Sequence, residues 1–137
     1  MTASIHFKKE FIIISGELST NTPAVNEHRT RCLQSNLDDL GVKYVACFGQ
    51  YKGDREKSFL VYLEHYNGYN EEFFSTMAEN FNQDCILYRD KYDNVEFIYS
   101  THREKTDKKL AEITPLKASR VEAYTYFYGV DRFWGLV

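Results

Sequence analysis

The sequence lacks most features that mark easily recognised protein classes. Its 137 residues include three cysteines, Cys32, Cys47 and Cys85, without a CxxC pair or a Cys/His spacing typical of zinc sites. No apolar run approaches the roughly 20 residues that span a bilayer. The N-terminus also lacks the apolar core of a signal peptide. We therefore expect a cytoplasmic protein with reduced, mostly buried thiols, and we predict no metal, no cofactor and no membrane association.

An excess of basic residues is also missing, since 17 Lys and Arg stand against 20 Asp and Glu. A protein that binds duplex nucleic acid by neutralising phosphates normally has a basic face. The dense basic stretch at 102–109 (HREKTDKK) also carries Glu104 and Asp107. We interpret it as a solvated connection and do not expect duplex nucleic acid as a partner.

Familiar catalytic motifs are missing too. The sequence has no P-loop, GxGxxG, HExxH, GxSxG or calcium-loop pattern. Its adjacent acidic pairs, such as Asp38-Asp39, point in different directions on a helix and make poor two-carboxylate sites. Cys47 lies in an apolar, strand-like run, which favours a buried and inert thiol. The residues therefore predict no catalytic set.

The patterns that are present predict an α+β fold. Apolar, β-branched runs at 11–18, 44–51 and 58–63 indicate strands, as do 85–88, 95–99 and 120–128. Thr22-Pro23 and Gly41 bracket a helix at about 23–40, and Asn70 begins a second helix. The order is βαββαβ, a ferredoxin-like split βαβ sandwich with extra C-terminal strands. We expect a single domain over 1–137, with a core at about 11–99 and an extension at about 100–137.

Polar residues cluster near the predicted start of the first helix. Asn26 and Arg29 are three apart and share a face beside free helix amides, which suit an anion. Tyr51 ends a strand before the turn at Lys52-Gly53-Asp54, and Glu56 and Ser58 share one face of the strand that follows. Gln83 ends the second helix. Each residue also has a structural interpretation: local surface bonds for Asn26 and Arg29, a salt bridge to Arg29 or Arg55 for Glu56, and a helix cap for Gln83.

These residues carry a family resemblance. Asn26 and Arg29, then Gly49, Tyr51 and Gly53, then Glu56-Lys57-Ser58-Phe59-Leu60-Val61, then Phe81-Asn82-Gln83 follow one another in order. In this the chain resembles an uncharacterised family of small proteins found in bacteria and tailed phages, over about residues 11–99. The resemblance implies no known reaction. It implies one cluster of polar residues. The compact, tyrosine-rich sequence also resembles a phage accessory protein, which would act in the host cytoplasm.

Three functions remain open at this point. We prefer a non-enzymatic binding protein that blocks a host protein or sequesters an anionic, nucleotide-like small molecule. Its tentative ligand-binding residues are Asn26, Arg29, Tyr51, Glu56, Ser58 and Gln83. One alternative is an enzyme acting on a nucleotide or phosphodiester, with His28 and Glu56 as acid and base. Another is a single-strand nucleic-acid binder that stacks bases on tyrosines. Exposed edge strands and tyrosines would also suit a homodimer.

Overall fold

The computed structural model describes residues 9–51, 54–64, 67–121, 123–128 and 131–137, apart from the side chains of Tyr51 and Asp54. The elements are β1 (Phe11–Ser15), α1 (Pro23–Leu40), β2 (Tyr44–Tyr51), β3 (Asp54–Tyr62), α2 (Glu71–Asn80), β4 (Cys85–Arg89), β5 (Val95–Tyr99), β6 (Arg103–Thr106), β7 (Leu110–Ile113), α3 (Pro115–Ala118), β8 (Ala123–Phe127) and β9 (Arg132–Leu136). The predicted turn at Lys52-Gly53 lies outside the described residues.

The described strands form one antiparallel sheet in the order β6-β5-β4-β1-β3-β2-β8-β9-β7. The predicted mixed α+β class is confirmed. The central strands β1 and β3 come from the two most continuously apolar runs. Because β2 pairs with β8, the C-terminal strands continue the same sheet.

Local capping explains where the two long helices begin and end. The Thr22 hydroxyl accepts a hydrogen bond from the Val25 amide at 3.3 Å, and Pro23 follows at the first helical position. Gly41 ends α1 with φ of 71°, a conformation that suits glycine. The Asn70 side chain caps α2 by accepting from the Phe73 amide at 3.0 Å. The predicted starts of both helices are therefore confirmed.

The sheet has two different faces because side chains alternate along each strand. Helices α1 and α2 pack on the outer face, where Ile12, Ile14, Leu33, Leu37 and Phe74 are almost completely buried. Burying each such side chain contributes roughly 1.5–3 kcal/mol. The inner face carries a separate apolar cluster of Phe11, Cys47, Leu60, Tyr62 and Phe127.

The sheet curls so that distant strands meet on this inner face. Val95 and Phe97 of β5 pack with Ala123 of β8 and Leu136 of β9 in a third apolar cluster. The Lys109 ammonium also donates to the Asn94 side chain at 3.1 Å, which links the segment before β7 to the segment before β5. The curl encloses the space in which the candidate site lies.

Two sequence predictions need correction. The stretch at 102–109 was expected to be a solvated connection, but residues 103–106 form β6, where Glu96 pairs with Lys105 and Phe97 with Glu104. Strand β3 begins at Asp54, whereas the apolar run predicted a start at Ser58. In both places the backbone is paired with a neighbouring strand, but the polar side chains do not produce a strand pattern in the sequence. Among the described residues, no helix is long and apolar enough to cross a membrane.

Candidate active site

A cleft of about 250 Å³ opens on the inner face of the curled sheet. This is slightly smaller than the roughly 300 Å³ at which typical small-molecule sites begin, so part of a larger ligand would extend into the mouth. Its lining comes from strands at the centre of the sheet and from β5, β7 and β9 near its ends. The apolar part of the lining includes Ile13, Leu87, Phe97, Leu110 and Leu136.

A polar strip crosses the cleft at the centre of the sheet. Ser15 of β1 lies opposite Ser58 of β3, and both side chains are buried. The Ser15 hydroxyl donates to the Lys57 carbonyl at 2.8 Å, and the Ser58 hydroxyl donates to the Glu56 carbonyl at 3.3 Å. The Ser15 oxygen also accepts from the Glu17 amide at 3.1 Å. Because a hydroxyl oxygen has two acceptor positions, each serine can still receive a donor from a ligand.

Glu56 faces the cleft from the next inward position on β3. It is half-buried and lies directly opposite Gly49 of β2, which in turn lies opposite Thr125 of β8. A Cβ atom at Gly49 would lie 3.2 Å from the Ser58 hydroxyl. The missing side chain therefore leaves space beside the Ser58 hydroxyl that a larger residue would reduce.

The charged side chains that line the described part of the cleft are acidic. Among the described residues that line it, those with a full charge are Glu56 and Asp84. Glu56 is half-buried, whereas Asp84 is exposed and lies in the turn that precedes β4. A carboxylate in a cleft with apolar walls attracts a cation more strongly than one in open water. The arrangement therefore favours a positively charged ligand with an apolar portion.

One wall of the cleft is the β1–α1 loop, defined here as residues 16–18. Its three successive carbonyls each accept a hydrogen bond from a different side chain. The donors are Arg29 Nε to Gly16 (2.6 Å), Gln83 Nε2 to Glu17 (2.6 Å) and Asn26 Nδ2 to Leu18 (2.8 Å). Asn26 also accepts from the Leu18 amide at 2.9 Å. These bonds fix the loop on which Leu18 lines the cleft.

The structure divides the predicted site residues between the two sides of this loop. Glu56, Ser58 and Gln83 line the cleft. Asn26 and Arg29 lie behind the loop, where the Arg29 guanidinium donates to the carbonyls of Gly16 and Phe81. The side chain of Tyr51 lies outside the described residues. The predicted single cluster thus consists of a group that lines the cleft and a group that supports the loop behind it.

Several lining residues were not identified from the sequence. Asp84, Thr125 and Gly49 face the cleft, as do Ser15 and the apolar residues of β5 and β9. The alternating pattern at 120–128 predicted a strand, and Thr125 is on the buried face of that strand. The curl of the sheet brings this face of β8 to the same cleft as β1 and β3. The alternation of residues along one strand does not predict such a curl.

Cys85 contributes a half-buried thiol to the lining of the cleft, whereas two other reactive side chains lie away from it. His28, the predicted partner of Glu56 in acid–base chemistry, is exposed on α1 and its Nε2 is 3.6 Å from the Cys32 sulfur. Cys47 is completely buried, and burial raises the pKa of its thiol to about 12. Within the described part of the chain, no three His, Cys, Asp or Glu side chains converge as metal ligands would.

Comparison with known proteins identifies the family. A family model described as the S-Adenosylmethionine lyase family matches residues 12–136. No curated protein matches the sequence. The match overturns the prediction of a non-enzymatic binding protein in phage–host interaction, because the family is named for an enzyme activity. The match confirms that the chain belongs to a family, but it does not support the uncharacterised status or the bacterial and phage distribution that the resemblance implied. The chain belongs to the S-adenosylmethionine lyase family.

Proposed function

We propose that this protein is an enzyme that cleaves S-adenosylmethionine at a carbon–sulfur bond, with the inner-face cleft as its active site. The observation that carries the proposal is the half-buried Glu56 carboxylate in a cleft with an apolar wall, in a chain of this family. S-adenosylmethionine carries a sulfonium, an α-ammonium and a carboxylate, so its net charge is positive. A negative cleft attracts this charge, and apolar walls accept the nucleoside.

Glu56 is the residue we assign to the substrate's α-ammonium. The ammonium keeps its charge throughout the reaction, so a carboxylate that holds it supports binding without opposing the chemical step. The hydroxyls of Ser15 and Ser58 lie beside Glu56 on the same face and can accept further ammonium hydrogens. Gln83 lines the mouth, and its amide nitrogen is already bonded to the Glu17 carbonyl.

The bond cleavage needs no added nucleophile. In the step we propose, a carboxylate oxygen of the substrate attacks its own γ-carbon and forms a five-membered lactone. The bond from that carbon to sulfur breaks, and its electron pair returns to sulfur. The products are 5′-methylthioadenosine, a neutral thioether, and homoserine lactone. Atoms and charge balance without water, an oxidant or a proton transfer.

The apolar wall supplies the rate enhancement in this scheme. The attack joins a carboxylate to a sulfonium carbon, so both charges fade in the transition state. Water stabilises the separated charges of the ground state more than the transition state, and removing water therefore lowers the barrier. Ile13, Leu87 and Phe97 offer such surroundings. A folded substrate conformation held by the cleft adds the benefit of proximity.

The test is direct incubation of the purified protein with S-adenosylmethionine, followed by chromatography and mass spectrometry. We expect 5′-methylthioadenosine and homoserine lactone in equal amounts, without adenosine or S-adenosylhomocysteine. Vinylglycine instead of the lactone would replace the displacement step with an elimination. If S-adenosylmethionine remains intact at a rate equal to the protein-free control, the proposed activity is wrong.

We also propose that residues 11–89 form a ferredoxin-like unit within the larger sheet. The support is the order β4-β1-β3-β2 at the centre of the sheet, with α1 following β1 and α2 following β3. In this arrangement β8 and β9 add to the β2 edge and β5 and β6 add to the β4 edge. The active-site cleft then lies on the face of the unit opposite α1 and α2.

A further inference from the structure

Arg29 connects the two backbone segments that border the mouth of the cleft. Its Nε donates to the Gly16 carbonyl at 2.6 Å, and its Nη2 donates to the Phe81 carbonyl. Gly16 begins the β1–α1 loop, whose neighbours Ser15 and Leu18 line the cleft. Phe81 begins the turn before β4, whose residues Asn82, Gln83 and Asp84 also line it. The Arg29 side chain thus forms hydrogen bonds to both of these segments from the side that faces away from the cleft.

An arginine suits this task because of its rigid shape. The guanidinium is planar and holds Nε and Nη2 at a fixed separation, so the two carbonyls that it binds are also held at a fixed separation. Its central carbon lies 5.7 Å from the centre of the Phe81 ring, which adds a contact to the same wall. A lysine at this position has a single nitrogen and could not impose the same spacing on both carbonyls.

Close packing around Gly16 restricts movement of the β1–α1 loop relative to Arg29 and Phe81. A Cβ atom at Gly16 would lie 3.1 Å from the Arg29 carbonyl oxygen and 3.3 Å from the Phe81 ring. Helix α1, the β1–α1 loop and the turn at Phe81 therefore touch at one point. Gln83 adds a second link between the same two walls through its 2.6 Å bond to the Glu17 carbonyl.

We propose that Arg29 is a positioning residue for the reaction: it sets the width of the cleft mouth without touching the substrate. This inference rests on the proposed function. A fixed mouth holds the substrate's carboxylate in line with the carbon–sulfur bond, and misplacement by about 1 Å can lower a rate roughly 100-fold. Loss of Arg29 therefore acts on kcat, whereas loss of the ammonium contact at Glu56 acts on KM.

The experiment compares the kinetics of Arg29→Ala, Arg29→Lys and Arg31→Ala with S-adenosylmethionine as substrate. Arg31 is a matched control on the same helix, since its exposed side chain makes an ion pair with Glu27 at 3.8 Å. For Arg29→Ala we expect kcat to fall roughly 100-fold and KM to change by less than about threefold. Arg29→Lys should recover part of kcat, and Arg31→Ala should match the wild type.

Hydrogen exchange of the same variants separates this inference from the proposed function. In Arg29→Ala, peptides covering residues 16–18 and 81–84 should exchange faster together, whereas in Arg31→Ala they should not. If the wild type cleaves no S-adenosylmethionine, the proposed activity fails and the exchange result alone decides whether Arg29 couples the two walls. If Arg29→Ala does not fold, the kinetics and hydrogen exchange of Arg29→Lys test the proposal instead. A wild-type kcat, a rise confined to KM, or an equal fall in Arg31→Ala would overturn the proposal.

Discussion

Glu56 lies directly opposite Gly49 in the β2–β3 pairing, and both residues line the cleft. The pair brings a charged side chain and a position without a side chain to the same part of the lining. Thr125 continues the same row on β8. The first two predictions below test the two halves of this relationship, the charge at Glu56 and the space at Gly49.

Glu56→Gln should weaken substrate binding more than it slows the chemical step. Glutamine keeps the shape of the side chain but removes the negative charge that we assign to the α-ammonium. A hydrogen bond to a charged group contributes roughly 1.5–3 kcal/mol, which corresponds to a rise in KM of roughly 10- to 150-fold. Initial rates of 5′-methylthioadenosine formation over a range of substrate concentrations measure this rise.

Two carboxylates serve as controls for Glu56→Gln. Asp84→Asn removes the exposed charge at the mouth and should have a smaller effect, since exposed charges are screened by water. Glu27→Gln, on the exposed surface of α1, should have no effect on KM. An unchanged KM in Glu56→Gln would remove the ammonium contact from the scheme.

Gly49→Ala and Gly49→Val should reduce turnover in proportion to the space they fill. The alanine Cβ would lie 3.2 Å from the Ser58 hydroxyl, a contact that a small shift of Ser58 relieves. Valine places two further carbons in the cleft while its β-branch suits a strand. We expect both variants to fold, with the alanine variant losing less than about 3 kcal/mol of unfolding free energy.

Isothermal titration with S-adenosylmethionine and thermal unfolding of the same samples check the glycine series. The informative result is a loss of binding in Gly49→Val at a nearly normal unfolding temperature. Normal binding by a folded Gly49→Val variant would place the ligand elsewhere.

Cys47 should make the protein less stable at high pH. Burial raises the pKa of its thiol from 9.0 to about 12, so the folded protein keeps the proton that the unfolded chain releases above about pH 9. The unfolding free energy therefore falls with rising pH between these two values, by about 1.4 kcal/mol per pH unit at most, and this contribution is constant below pH 9. Urea unfolding from pH 7 to pH 10.5 measures the slope.

Comparison with Cys47→Ala isolates the thiol from the lysines and tyrosines that titrate in the same range. The variant starts from a lower stability because it leaves a cavity, but its curve should descend less steeply than that of the wild type above pH 9. Parallel curves would show that the Cys47 thiol ionises equally in the folded and unfolded chains.

Asn70→Ala should destabilise the protein without affecting the active site. The Asn70 side chain caps α2 on the outer face of the sheet, and losing such a cap costs about 1 kcal/mol. The change should appear as a lower urea midpoint, whereas kcat and KM of the folded protein stay at their wild-type values. A fall in kcat would indicate that α2 also controls the turn at Phe81.

The sequence predicted elements whose signals are local. Thr22, Pro23 and Gly41 determine the ends of α1 through contacts with their immediate neighbours, and Asn70 does the same for α2. Strand β6 was not predicted because backbone pairing with β5 holds it in place. Its charged side chains do not indicate this pairing.

The candidate site was predictable only in part, for a related reason. Glu56 and Ser58 line the cleft because of alternation along one strand, which the sequence contains. Arg29 and Gln83 bind backbone carbonyls of the β1–α1 loop. Because every residue has a backbone carbonyl, the sequence does not indicate which residues these two side chains bind. The predicted anion site depended on a free Arg29 guanidinium, whereas the cleft itself carries carboxylates.

The alternation of β3 has a consequence for how this protein can evolve. Glu56 and Ser58 face the cleft, while Phe59 and Val61 face the helices, so a substitution at either set changes ligand contacts or core packing separately. Inserting or deleting one residue within β3 would turn the cleft-facing side chains toward the helices and the core side chains toward the cleft. One such change would disrupt both the ligand contacts and the core packing. Descendants of this sequence should therefore differ in β3 by point substitutions, and length changes should be confined to segments outside the strand.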